Sequence, residues 1–348
     1  MKLELQHFNS LISLANHFNS DKRCRDFITE QRWHGEVSCP FCGCKHVYTC
    51  SNGDNQFKCA ECHKRFSCLV GTIFQNTKLP LQKWFMAMYL ISSHKKGISS
   101  HQLARDLDTC QKTAWFIFHK VRTLFTQNDS IALDGEVELD EMYLGGRETN
   151  KHESKRTEKT QGRSTKTQTP IFGMVAREGM AHAFVVPDTK AETLKVYIQQ
   201  FCADNAHLFT DELSSYSCID KMGYKHSVIE HGKKVYSKDG VTTNSIEGFW
   251  GHFKRMVFGT YHFVSKGYLQ PYIDEAIYRY NTRKASESTR FADMFAKSIG
   301  ICDYKAVKAL KVTKSCCDIS KFLCCLISEP YLLKPITPSI ADDAAQIC

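Results

Sequence analysis

Residues 136–146 read EVELDEMYLGG. Side chains alternate along a strand, so Val137 and Leu139 share one face and Glu136, Glu138 and Asp140 the other. The stretch follows the turn signal Asp134-Gly135 and opens into a polar run through Gln168 with seven Lys/Arg against three Glu, which predicts a loop. Further along, PIFGMVA (170–176) and AHAFVV (181–186) read as two more strands. Residues 191–202 read as a helix carrying Leu194, Val196, Tyr197, Ile198 and Phe201. His207-Leu-Phe-Thr-Asp211 is a short apolar strand ending in a carboxylate, followed by a helix containing Tyr216 and a strand-like His226–His231.

Three strands, helix, strand, helix predicts an α/β class: a ribonuclease-H-like mixed sheet with flanking helices. In such a sheet, carboxylates at the ends of neighbouring strands converge, as a pair of divalent ions requires. The stretch TTNSIEGFWGHFKR (242–255) supplies one more helix, with Thr243 or Asn244 as its cap. Glu247 and Lys254, seven residues apart, differ by only about 20° around the axis, so a metal ligand would sit beside a phosphate contact. YLQPYIDEAIYRYNTR (268–283) reads as a last helix with Pro271 in its first turn.

Upstream, Cys39-x2-Cys42 and Cys59-x2-Cys62 lie 16 residues apart. Each pair forms a knuckle whose thiolates point at one ion, so the four are read as ligands of a structural zinc in a ribbon with strands near 47–49 and 56–58. Cys44, Cys50, Cys68, His46 and His63 are spare, and one of them could substitute as a ligand. A helix begins after Pro80 with Trp84, Phe85, Met88, Tyr89 and Ile91 at helical spacing. Ser99-x-x-Gln102 then reads as a capping box for a short helix, and Thr109 as the N-cap of a longer one over 110–125. Short helix, turn and longer basic helix predict a helix-turn-helix in which Gln111, Lys112, Lys120 and Arg122 offer polar contacts to DNA.

The 348 residues carry 46 Lys+Arg against 37 Asp+Glu, a surplus of +9 that favours an anionic partner such as nucleic acid. The longest apolar run, Trp84 to Ile91, is far short of the roughly 18 residues of a membrane span, so no membrane association is expected. The opening MKLELQHFNS has no apolar leader, and no secretory signal is expected. Disulfides are then not expected among the 17 cysteines, and those of the tail, from Cys302 to Cys348, show no zinc spacing. The domains read as a helical segment over 1–36, the ribbon over 37–70, the helix-turn-helix region over 78–128, a catalytic domain over 132–290 and a tail over 298–348.

Taken in order, Arg32-Trp33, the two CxxC pairs, VELDEMYLGG, Thr210-Asp211 and Thr243-Asn244-x-x-Glu247-Gly-Phe-Trp250 through Lys254-Arg255 resemble the zinc-ribbon DDE transposases of bacterial insertion sequences, relatives of the eukaryotic Merlin elements. The resemblance implies Asp140 and Asp211 as the first two carboxylates for Mg2+ or Mn2+, Glu247 as the third, and Lys254 as the downstream cation. Some members place Asn at the third position, so Asn244 is the alternative, and Glu247 is favoured because a hard cation gains more from a charged oxygen. The implied activity is cleavage of terminal inverted repeats and joining of the 3′-hydroxyl to target DNA by two-metal phosphoryl transfer, with Lys254 and Arg255 on the phosphates. The implied partner is double-stranded DNA bound by a homodimer or larger assembly, in a bacterial nucleoid or, in a eukaryotic host, a nucleus. Two alternatives remain at this stage: a DNA-binding regulator without catalysis, and a structure-specific nuclease on the same fold.

Overall fold

The computed structural model describes residues 8–50, 55–126, 132–145, 152–155, 168–177, 179–229 and 242–299. The tail after Ile299 and most of the basic run 147–168 lie outside the described residues. Ser10 and Ser20 each accept a backbone N–H three residues on, which starts helices α1 (Leu11–His17) and α2 (Asp21–Trp33). Three antiparallel strands follow: β1 (Val47–Thr49), β2 (Gln56–Cys59) and β3 (Arg65–Ser67). The spacing anticipates the first two but not β3. Phe57 and Phe66, paired across β2 and β3, pack on the Trp33 ring at centroid distances of 5.7 and 6.2 Å. Arg32 donates to the Cys68 carbonyl at 3.0 Å, so Arg32-Trp33 fastens the ribbon to α2.

Helices α3 (Leu81–Ser93), α4 (Ser100–Asp106) and α5 (Gln111–Arg122) form the next layer. Ser99 Oγ accepts the Gln102 N–H at 3.1 Å, but the Gln102 amide donates to Asp106 at 2.6 Å, so only half of the expected capping box forms. Cys110, not Thr109, is the N-cap of α5: its carbonyl accepts the first helical N–H, from Ala114 at 3.1 Å, while the Thr109 N–H turns back onto the Ala104 carbonyl at 2.9 Å. The helix also stops at Arg122 and tightens into a 3-10 turn over Thr123–Phe125.

Strands β4 (Glu136–Leu144), β5 (Thr169–Ala176) and β6 (Ala181–Val185) run antiparallel in sequence. After α6 (Ala191–Phe201), strand β7 (His207–Thr210) joins β4 in parallel, and β8 (Lys225–Val228) joins β7 in parallel. The result is a five-stranded mixed sheet of order β6-β5-β4-β7-β8. Tyr216 lies in a 3-10 turn (Ser214–Cys218) rather than in the expected helix, and the last two residues of the expected 226–231 strand fall outside the described ones. Helix α7 (Asn244–Met256) runs on into a π-helical turn (Val257–Tyr261), and α8 (Leu269–Asn281) and α9 (Glu287–Ser298) follow.

The alternation of β4 and β5 fixes the layers. Val137, Leu139, Phe172 and Met174 pack on one side with Leu194, Ile198 and Phe201 of α6. Met142, Ile171 and Val175 pack on the other with Ile246, Phe249, Trp250 and Phe253 of α7 and with α8. The chain then returns to its beginning, since Phe291 and Phe295 of α9 complete the core of α1–α5, with Phe295 5.0 Å from the Phe85 ring. The periodicity did not announce that last helix.

One buried ionic group joins the helical part to the sheet part. Glu275 of α8, with no exposed surface, accepts from Arg122 Nε of α5 at 2.9 Å, from Arg279 Nη2 at 2.6 Å and from the Tyr261 hydroxyl at 2.8 Å. Burial opposes the Glu275 charge, but Arg122 and Arg279 outweigh it and hold the carboxyl below its ordinary value. Arg279 reaches further, donating to the Ile91 carbonyl of α3 at 2.9 Å. Replacing Glu275 by Ala strands two buried guanidinium groups, and a loss of about 3–5 kcal/mol is expected in urea unfolding. A loss under about 1 kcal/mol would show that the group is not buried in solution.

Candidate active site and zinc centre

The parallel register of β4 and β7 pairs Glu136 with His207 and Glu138 with Phe209. Continued by two residues, the same offset sets Asp140, in the middle of β4, opposite Asp211, just past the carboxyl end of the parallel β7, the end at which ligands of open α/β sheets gather. Strand β7 ends at Thr210, so β4 runs on without that neighbour. Asp140 and Glu141 point to opposite faces of β4, yet both reach Asp211 around this free edge. Carboxylate oxygens of Asp140, Glu141 and Asp211 all lie within 4.8 Å of one another. The sequence reading did not single out Glu141, which joins the group where β4 has no β7 neighbour.

Each acid is held. The Leu213 N–H donates to Asp211 Oδ1 at 3.0 Å, and the Tyr216 hydroxyl donates to Glu141 Oε1. Burial first, and then the charges on Glu141, Asp140 and Asp211, raise the Tyr216 pKa well above its ordinary value, so it stays a neutral donor. The Trp250 indole N–H donates to Asp140 Oδ2 at 3.0 Å. That indole crosses the sheet at Gly173, the partner of Asp140 on β5, where a Cβ would lie 2.5 Å from Trp250 Cζ2. Only glycine lets the ring reach the carboxylate.

Helix α7 is positioned by a residue that the sequence did not single out. Glu138, read with Glu136 and Asp140 on the face opposite Val137 and Leu139, has no exposed surface. Its Oε2 accepts the Ile246 N–H at 2.9 Å, capping α7 in place of Thr243, whose side chain makes no cap bond. Its Oε1 accepts from Arg177 Nε at 2.9 Å, and Arg177 also donates to the Thr242 carbonyl at 2.8 Å and to Glu136. Glu247 and Asn244 are exposed in the first turn of α7, and Thr243 Oγ1 lies 3.4 Å from Glu247 Oε1. Glu247 is outside the three-acid group, but its charge reaches Asp140. Lys254 and Arg255 are exposed two turns further along.

Asp140 registers all of this. Burial, and next the charge of Asp211, push its carboxyl up to about 6 from 3.8, with Glu247 adding to the rise while the Glu141 N–H and Trp250 oppose it. Three hard oxygen donors at this spacing, one of them destabilised as an anion, are a donor set that suits a divalent cation. The ribbon cysteines suit a different one. Cys39 and Cys62 have their sulfurs 3.6 Å apart and Cys42 and Cys59 3.5 Å, close to the ~3.8 Å edge of a tetrahedron with zinc–sulfur bonds of about 2.3 Å. Among the described residues, none of the spare Cys or His joins this group; the Cys44 sulfur instead accepts the His46 N–H at 3.2 Å.

The expected DNA contacts on α5 divide in two. Lys112 is exposed at the start of the helix, and Gln111 is half-buried with its amide donating to Ser100 at 2.9 Å. Lys120 and Arg122 are corrected: they are 4% and 2% exposed, with Lys120 Nζ on the Ile73 carbonyl at 2.8 Å and Arg122 on Glu275. The apolar stripe of α5 is wide enough to carry both cations inward, so neither offers charge to a phosphate.

The Asp140 shift has a signed consequence. The folded state binds this proton more tightly than the unfolded chain, so metal-free stability falls as pH rises from about 4 to about 6, and the penalty is complete above that. Asp140→Asn is expected to raise the metal-free Tm by a few degrees near neutral pH, to lose that gain near pH 4, and to abolish any Tm increase on adding Mn2+. Scanning calorimetry checks this, and a lower Tm near neutral pH would contradict it.

Comparison with known proteins agrees with these groupings. Residues 132–281 match the family of the ISXO2-like transposase domain, and residues 19–65 match the transposase zinc-ribbon domain. An "uncharacterized protein in transposable element ISH50" of Halobacterium salinarum is 27% identical over 270 residues, covering 74% of this chain and 89% of its own length. An "uncharacterized transposase-like protein" of Haemophilus influenzae is 26% identical over 100 residues, covering 29% of this chain and 80% of its own. One chain of a solved simian T-cell lymphotropic virus intasome in complex with PP2A regulatory subunit B56 gamma aligns at TM-score 0.27 and 10% identity, covering 52% of this chain and 63% of that one, too slight a likeness to bear on the fold. With both matched domains in the same order as the cysteine cluster and the carboxylates, the chain belongs to the zinc-ribbon DDE transposases of insertion sequences.

Proposed function

We propose that this transposase binds the terminal inverted repeats of its element, cuts the ends and joins the freed 3′-hydroxyl to target DNA. The observation that carries the reading is the parallel register that sets Asp140 of β4 beside Asp211 at the end of β7, with the Asp140 carboxyl raised by burial and then by Asp211. The strand order, a central β4 between an antiparallel and a parallel pair, supports a ribonuclease-H-like sheet.

In this reading Asp140, Asp211 and Glu247 hold two divalent ions, Mg2+ or Mn2+, with Glu141 as a further donor within reach. The ions would supply an activated attacking oxygen and charge stabilisation of the leaving one, in-line across the scissile phosphate. Trp250 keeps Asp140 aimed and favours its ionised form, so the carboxylate is ready for a cation. Tyr216 holds Glu141 by a proton it does not release. Glu247 is preferred to Asn244 as third ligand because its charge is the one that reaches Asp140. Lys254 and Arg255, on the same helix, lie where a substrate strand leaving the carboxylates would need cations.

The ribbon and the pair α4–α5 would hold the repeat, α5 as the recognition helix of a helix-turn-helix. Contact would then come from its exposed start, Gln111 and Lys112, which is the part such helices present to base edges. A structural zinc on Cys39, Cys42, Cys59 and Cys62 would fold the ribbon without chemistry, since four thiolates leave no open position. Two ends must be joined together, so the working unit is a dimer or larger on DNA.

The reading is tested by incubating full-length protein and Mg2+ with a labelled fragment carrying the inverted repeats that flank its gene, together with a supercoiled plasmid. Joined product is expected, falling to background in Asp140→Ala and Asp211→Ala while fragment binding persists. Cleavage without joining would favour a nuclease, and binding without either would favour a regulator.

A further inference from the structure

The exit of α7 has features that phosphate contact does not explain. Lys96, Lys254, Arg255, Phe258, Gly259 and Thr260 line an open cavity of about 570 Å³. Its three cations come from two regions of the chain, Lys96 from the α3–α4 connection and the others from α7. All three are exposed, and no carboxylate among the described residues pairs with any of them. Part of this is ordinary, because cations suit a helix C-terminus. The ring of Phe258 is not ordinary: it is 57% exposed, one turn beyond Lys254 on the same face, and Phe263 just beyond is 78% exposed.

The backbone that presents Phe258 is unusual as well. Helix α7 widens into a π turn over Val257–Tyr261, a distortion that recurs at functional sites. The turn is pinned on its inner side, where Thr260 Oγ1 donates to the Lys96 carbonyl at 3.2 Å and Tyr261 is bound to Glu275. Gly97 takes a left-handed φ of 81° under the Tyr261 hydroxyl, which would lie 2.5 Å from any Cβ there. The cavity floor is therefore fixed, and Phe258 is held outward over a cationic rim.

An aromatic face beside unpaired cations suits a nucleotide whose base is not already stacked. A base inside a duplex has no free face to offer, whereas an unpaired one stacks on an aromatic ring while its phosphate meets the cations. Position agrees with this. Lys254 and Phe258 lie roughly 6 and 12 Å along α7 beyond Trp250, the residue that touches Asp140, a span of roughly two to four stacked nucleotides. We infer that this cavity binds an unpaired nucleotide close to the cut DNA end, with Phe258 stacking on its base and Lys96, Lys254 and Arg255 on its phosphates. The inference rests on the transposase reading above and adds the form of DNA that the site takes.

The test compares full-length protein on a blunt fluorescent duplex and on the same duplex with a single-stranded extension at its 3′ or 5′ end, by anisotropy without divalent ions so that nothing is cut. The wild type is expected to prefer one of the extended duplexes. Phe258→Leu keeps the apolar bulk but loses the aromatic face, and should lose affinity for that duplex by about 5- to 150-fold while blunt-duplex affinity stays within about twofold. Phe258→Tyr should keep the preference, and Lys254→Ala should weaken binding to both DNAs. Equal wild-type affinity for blunt and extended DNA, or a preference unchanged in Phe258→Leu, overturns the inference and leaves the transposase reading intact. Failure of the wild type to bind even the blunt duplex overturns both.

Discussion

The carboxylate of Glu138 is the contact on which the candidate site depends. It is buried with one oxygen on Arg177 and the other on the N-terminus of α7, so a charge that would be costly alone is matched by a guanidinium and a helix dipole. Two residues on, along the same face of β4, Asp140 accepts the indole of Trp250 from the same helix. The spacings agree: two strand residues cover about 6.6 Å, and the four helical residues from Ile246 to Trp250 cover about 6 Å. Strand and helix are thus tied at two points of equal pitch. Glu247, next to Ile246, has its place along the sheet fixed by that tie.

The second constraint acts at longer range. Glu275 gathers Arg122, Arg279 and Tyr261, so α5, the carbonyls at the end of α3 and the π turn after α7 are joined through one buried acid. The helices proposed to hold DNA and the part of the chain that carries the carboxylates are thereby tied through one buried acid. Arg122 is the residue where this matters most to the sequence reading: its charge is used inside the protein to join the two parts.

Much of the site was legible because its logic is local. The CxxC pairs suggest one four-cysteine site by spacing alone, and the strands that carry Asp140 and lead into Asp211 show themselves by an apolar pattern beside a carboxylate. The errors share one physical origin, which is that side-chain type does not reveal burial. Glu138 reads only as an acid beside Glu136 and Asp140 until Arg177 and α7 are seen to close over it, and Lys120 and Arg122 read as a basic face until Ile73 and Glu275 receive them. Glu141 was not singled out because alternation puts it on the face opposite Asp140, and it reaches Asp211 only where β4 outruns β7. Helix α9 was hidden because its partners, Phe74 and Phe85, lie some two hundred residues earlier in the chain.

The central claim is that the register of β4 and β7 builds a divalent-cation site. The most direct measurement is an anomalous difference map from crystals of the protein soaked in Mn2+. The account predicts density between the carboxylates of Asp140 and Asp211, with Glu247 turned toward it and the Trp250 indole still on Asp140. Manganese bound elsewhere, with Asp140 and Asp211 lacking density, would contradict it.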